Sequence, residues 1–349
     1  MDIRRVAFSC LGIVLPLCIS CTPDISQLLM PAGDIRPPSV LSAVQENPAE
    51  FQIRFDEAVT PVDRSFSFQP SISAATPYAQ GQEIWVRFSP SLPPGEACTL
   101  SGEAQDEAGN STRFVFSFVG YNDRPVPLRI TEVQTGKNTS VSNNHRDFIE
   151  LLAQEDGNLG GVCLRWASSV KEMKYIFPPC EVKKGEYLVV HCAPEGISSE
   201  KDEEGVDMAL SGGIDSNPMA RDFWTLAGGL ADETGIILVS PREGAPAEDG
   251  FFYVALGKTG EVDSAKLKAA LALLRVSGVW DISQTPLWEE GFLWKPSTSR
   301  SIVRKWGPGF GKDGWEVGEP GEQSPGSPTL SIQRASQGRG KTGTKPKGK

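Results

Sequence analysis

The sequence predicts an all-β chain, two tandem antiparallel β-sandwiches of which the second carries a short helical insertion. Apolar residues alternate in short runs such as Phe51, Ile53 and Phe55, which places them on one face of an extended strand. The 36 Gly and 27 Pro are spread along the body of the chain, a distribution that suits many short strands joined by turns. One stretch, 263–275, has helical spacing instead: Leu267, Ala270, Leu271 and Leu274 fall at i, i+3, i+4 and i+7 behind a capping Asp263 or Ser264.

The chain opens with a basic pair, Arg4 and Arg5, and an apolar run, Val6 to Leu17, too short to span a bilayer. Cys18-Ile19-Ser20-Cys21 follows and resembles the lipobox of bacterial lipoproteins, with Cys18 where that family usually has Leu. The resemblance implies a signal peptide over 1–20, lipid on Cys21, and a lipid-anchored linker over 21–35. Acyl chains at ~0.8 kcal/mol per buried methylene then tether the protein to a membrane of the cell envelope. Thr22 lacks the Asp that retains many lipoproteins at an inner membrane, so an outer membrane is expected where two exist, with the protein facing periplasm or surface.

The formal charge of −10 divides unevenly: residues 331–349 hold six basic residues and no acid, which leaves the rest near −16. A body this acidic repels nucleic acid, and the Gly-, Ser- and Lys-rich stretch 330–349 reads as a disordered basic tail. Beyond the anchor stand Cys98, Cys163, Cys180 and Cys192. Export permits a disulfide among the last three, and small buried thiols are the equal alternative. Among these four no C-x-x-C spacing occurs, and only His145 and His191 are present, so neither metal nor cofactor is expected.

Residues 36–122 make the first sandwich. Alternation recurs in Phe66-Ser67-Phe68, Ile84 to Phe88 and Phe114 to Phe118, with turns at Ser89-Pro90, Pro93-Pro94-Gly95 and Gly109-Asn110. The strand end Ile53-Arg54-Phe55-Asp56-Glu57-Ala58-Val59 and the turn Asp106-Glu107-Ala108-Gly109-Asn110 resemble a bacterial Ig-like domain, which implies a spacer module. Asp106, Glu107 and Asn110 carry the hard oxygens that calcium takes. A tight turn with Gly109 or Asn110 at positive φ accounts for them more simply.

Pro125 and Pro127 open the second sandwich, 125–329. Its blocks run Ile130-Thr131-Glu132-Val133, Asp147 to Leu151, Leu159 to Leu164, Tyr175 to Pro178, Lys184 to Val190, Ala227 to Leu238, Ser299-Arg300-Ser301 and Ser324-Pro325-Gly326-Ser327-Pro328. This ordered series resembles the lamin-tail domain, an Ig-like sandwich, with Val162 in place of the usual Trp and Thr329 in place of the closing Asn. In Tyr187 to Val190 both faces are apolar, the mark of a strand covered on both sides. Glu150 alternates outward between Ile149 and Leu151 and is expected to be solvated, on the opposite face from Asp147.

Two insertions mark this copy. Residues 194–222, with Glu200-Lys201-Asp202-Glu203-Glu204, read as a mobile acidic loop; residues near 258–290 hold the helix. Trp280, Trp288 and Trp294 follow the helix, either patching one end of the sandwich or forming an exposed aromatic recognition surface. That region is the first candidate contact surface, and the polar loop Asn143, Asn144 and His145 is the second.

Enzyme-like motifs fail on context. Ala335 to Thr342 fits a permissive phosphate loop with no helix to follow, and Gly309-Phe310-Gly311-Lys312-Asp313-Gly314 lacks a βαβ setting. Ser168-Ser169-Val170-Lys171 has no S-x-N companion before Lys258-Thr259-Gly260. The expectation is a membrane-anchored, non-catalytic binding or scaffold module with a protein or envelope-polymer partner. The alternatives are a component of an envelope-polymer hydrolase and nucleic-acid binding through the tail.

Overall fold

The computed structural model describes residues 34–328, apart from 73, 137, 141–142, 306 and 308–310. The signal segment, Cys21, the basic tail with its phosphate-loop-like run, and Gly309 and Phe310 lie outside the described residues.

The first body holds β1 (Val40–Asn47), β2 (Glu50–Phe55), β3 (Thr60–Pro61), β4 (Ser67–Gln69), β5 (Ala74–Gln80), β6 (Glu83–Ser89), β7 (Ala97–Gln105) and β8 (Ser111–Val119). One sheet runs β1-β2-β6-β5; in the other, β7 carries β8 along one edge and β3 and β4 along the other. Every second residue of β2 and β6 is buried, and Phe51, Ile53, Phe55, Val86 and Phe88 meet Phe68, Leu100 and Phe114 in one core. The sequence at 106–110 is a tight turn: Asp106 accepts from the Asn110 backbone and side-chain N–H groups at 2.8 Å each, and Gly109 has φ +92°. The carboxylates of Asp34, Glu57 and Asp106 gather there within 4.8 Å.

The second body comprises β9 (Leu128–Gln134), β10 (Asn138–Ser140), β11 (Asn143–His145), β12 (Phe148–Ala153), β13 (Gly157–Asn158), β14 (Cys163–Ala167), β15 (Glu172–Ile176), β16 (Glu181–Val182), β17 (Tyr187–His191) and β18 (Arg221–Trp224). It continues with β19 (Gly235–Ser240), β20 (Asp249–Ala255), α1 (Ala265–Ser277), β21 (Phe292–Trp294), β22 (Ile302–Arg304) and β23 (Trp315–Val317). A six-stranded sheet, β18-β17-β12-β9-β22-β23, packs on a five-stranded one, β15-β14-β19-β20-β21. The fold is all-β with one helical insertion. It departs from a purely antiparallel plan at two edges, where β17–β18 and β20–β21 are parallel. Each of those pairs is joined by a long crossover, as parallel neighbours require, and these crossovers are the two insertions.

α1 starts at Ser264, whose hydroxyl accepts from Leu267 N–H, and stops at Gly278 with φ +69°. Leu267, Ala270, Leu271 and Leu274 are buried as the spacing predicts, and the helix packs on β14 and β19. The five-stranded sheet is thus covered on both faces, and β19 and β20 are buried along their whole length. In β17, Leu188 and Val190 join the main core while Val189 packs with Phe148 and Ala220 on the other face. Cys98, Cys163, Cys180 and Cys192 are buried free thiols.

The 194–222 insertion is tied down rather than loose. Its acids serve as acceptors for its own backbone: Glu200 takes the N–H groups of Glu195, Gly196 and Ile197, and buried Glu203 takes those of Ser211 and Asp222. An acidic run expected to be a mobile loop is here the loop's internal scaffold.

Candidate binding groove at the junction

The two bodies meet across a short connection. The Asn122 side-chain amide donates to Asn158 O and Gly160 O at 2.8 and 2.9 Å, and Asn158 N–H donates to Arg124 O at 2.9 Å. Gly95 of the first body lies against Gly160 of the second so closely that a Cβ on Gly95 would sit 2.5 Å from the Gly160 Cα. Only two glycines permit backbone to meet backbone at that distance.

Beside this contact runs a groove of 540 Å³, within the range of small-ligand and peptide sites and at a domain junction, where such sites concentrate. Its floor is aromatic and apolar: Phe51 and Phe118 lie 4.5 Å apart, flanked by Val44 and Val119. Tyr121 is held by its backbone N–H on Gln45 Oε1 and by the Arg242 guanidinium 5.8 Å above its ring. A second hollow, 500 Å³, shares Ala97 and Val119 with the groove and is lined by Gly95, Tyr175, Phe177 and the Pro178-Pro179 pair. Burial and Asp202, which accepts from Tyr175 OH at 2.9 Å, push that phenol far up, so it stays neutral. The groove combines apolar surface with a few oriented polar groups, and no His or Cys lines it.

The predicted contact residues lie elsewhere. Trp280, Trp288 and Trp294 are buried, at 3, 7 and 1 % exposure, which corrects the exposed aromatic surface to a structural patch. The indole N–H of Trp280 donates to Glu290 O and that of Trp294 to Glu233 O, so their polar edges are satisfied inside the protein. Lys258 lies 4.9 Å over Trp288. Asn143, Asn144 and His145 form β11, a hairpin strand paired with β10. His145 Nδ1 is 2.5 Å from Asp215 Oδ1, which fixes the insertion to the sandwich. His191 is buried, 2.8 Å from Asp222 and stacked on Trp224 at 3.8 Å. Neither histidine is near the groove.

Glu150 is also corrected. It has no exposure and lies directly across from Glu132 in the β9–β12 ladder. The 323–327 segment covers that face: Gly326 N–H donates to Glu150 at 2.8 Å, and the Ser324 hydroxyl donates to Glu132 at 2.9 Å. Ser301 and Thr131 hydroxyls complete the shell. Burial and mutual repulsion push Glu150 well above the carboxylate range, and burial raises Glu132 too. Arg304 is a further residue the sequence hid: one of its terminal guanidinium nitrogens donates to both oxygens of buried Asp249, at 2.7 and 2.8 Å, joining the two sheets. Arg300, in the quoted Ser299-Arg300-Ser301 block, instead donates to Gly318 O. Asp147 is buried with Oδ2 on Leu230 N–H and Oδ1 unpartnered, and burial pushes its carboxyl up to about 6.

Fold and groove together define an all-β chain of two tandem sandwiches with an apolar, aromatic-floored groove between them. The chain belongs to the family described as "TP_1001_2nd: protein second domain", whose model matches residues 126–323. An uncharacterized protein of Treponema pallidum (strain Nichols) is 29 % identical over 237 residues, covering 64 % of this chain. The chain spans 59 % of that relative's length. Among solved structures, a DUF4876 family protein from Bacteroides thetaiotaomicron VPI-5482 is 13 % identical and covers 72 % of this chain and 84 % of its own, with a TM-score of 0.26. That value is too low to carry an argument.

Proposed function

We propose that this chain is a lipid-anchored binding or scaffold module of the cell envelope, non-catalytic, which holds a protein or envelope-polymer partner in the junction groove. The groove carries the reading: an aromatic floor and a cation-capped tyrosine set between two bodies locked by backbone contact. Rigid walls lower the entropy lost on binding. The tether rests on Cys21 and its upstream sequence. No helix among the described residues is long and apolar enough to cross a membrane. We further infer an Ig-like first body and a lamin-tail-type second body, in which the Glu132, Glu150 and Ser324 to Ser327 blocks pack together.

Photo-crosslinking residues placed at Val119 and Arg242 in the full chain test the groove. Both should trap a discrete partner that a probe at Val206, 97 % exposed and away from the groove, does not. Adducts at Val206 alone would reject the groove as the site. Intact mass of the mature protein tests the tether, which an unmodified Cys21 sinks.

A further inference from the structure

α1 is apolar on two opposite sides. Its inner stripe, Leu267, Ala270, Leu271 and Leu274, is buried against the sheet. At 3.6 residues per turn, the opposite side holds Ala265, Ala269, Ala272 and Val276, with Leu273 about 70° from its centre toward Lys266. Leu273 is 40 % and Val276 77 % exposed. Ordinarily that side of a surface helix is polar. Here the charged residues stand at the flanks, Lys268 and Arg275 on one side and Lys266 on the other, and the helix contains no acid. Lys266 and Arg275 donate to the neutral carbonyls of Val170 and Ser283, so their charges are not cancelled. Val170, itself 75 % exposed, extends the apolar surface beyond the helix N-terminus. Asp263 and Asp281 lie beyond the two ends of the helix.

We propose that this outer face of α1 docks on an anionic lipid surface. The charge pattern selects the occupant. A second copy docked through this same face would bring Lys266, Lys268 and Arg275 against their own kind, whereas anionic headgroups match cations on both flanks of an apolar stripe. α1 packs on β14 and β19 over the five-stranded sheet, with its far side exposed at Ala265, Ala269 and Val276. A helix lying in an interface buries its apolar side among acyl chains and sets its cations at headgroup level. The proposal is independent of the tether and of the groove.

The test uses the chain from Thr22 onward, which lacks both Cys21 and the apolar run Val6 to Leu17, sedimented with vesicles of phosphatidylcholine alone or mixed with phosphatidylglycerol. The protein should bind the mixed vesicles, release with salt, and ignore the neutral ones. Leu273→Glu/Val276→Glu should weaken binding by more than about tenfold, and Lys268→Gln by about fivefold. An unchanged thermal midpoint in both variants shows that the fold persists. Equal binding by the Glu variant would place the interaction in the basic tail and overturn the proposal. So would equal affinity for neutral vesicles, or an acidic protein captured through this face while vesicles are ignored.

Discussion

The first sandwich is held by phenylalanines, Phe51, Phe55, Phe88 and Phe114, and among its described residues Asp106 is the one buried polar side chain. Its ion pairs, such as Arg87–Glu50, lie at the surface. The second sandwich buries Glu132, Glu150, Asp249, Arg304 and Asp147 beside a larger apolar core. Apolar burial is non-directional and tolerates slippage, while each buried charge demands a partner at one place. The first body is therefore a local design that alternation along a strand nearly completes. The second requires segments more than 150 residues apart, such as Ile130 and Arg304, to meet in register.

Removing one half of a buried pair should separate the two bodies most clearly. Arg304→Ala leaves Asp249 buried and unpaired and should cost about 3–5 kcal/mol, lowering the second body's unfolding transition in calorimetry and leaving the first's in place. Next comes Asp147. Its folded carboxyl titrates near 6 against 3.8 when unfolded, so the native state holds the extra proton and stability falls as pH rises from about 4 to 6. Asp147→Asn should remove that share of the slope, on the order of 2–3 kcal/mol, in urea melts across this window. Glu150 and Glu132, also raised, contribute slope of the same sign and remain in the variant. Ser324→Ala deletes one hydroxyl bond to Glu132 and should cost about 1–2 kcal/mol, with faster amide exchange in 323–327. Arg87→Ala, its side chain 66 % exposed, should leave both transitions within error.

Gly160→Ala sharpens the comparison without unfolding either body. Its Cβ would meet Pro94 O at 2.3 Å, so the bodies must part. Both calorimetric transitions should survive while groove crosslinking at Val119 falls; retained crosslinking would show that the groove does not need this contact.

Much of this was legible in the chain. Period-2 runs mark β2, β6 and β8, the doubly apolar run marks β17, and the helical stripe marks α1 within two residues at either end. What alternation hides is whatever covers a sheet's second face. Glu150 reads as solvated because its strand neighbours are apolar, and the donors that bury it lie far along the chain at Ser324 and Gly326. The tryptophans gave no sign of exposure or burial by spacing, since their partners are backbone carbonyls. The groove was unreadable because each body supplies only one wall.

The strap at 323–327 also sets an order of events in synthesis. Until those residues emerge, Glu132 and Glu150 face water as two hydrated anions, and the six-stranded sheet lacks its lid. A chain made in N-to-C order thus has every strand of its first sandwich before the segment that closes the second. A product that stops short of these residues leaves Glu132 and Glu150 without the Ser324 and Gly326 donors.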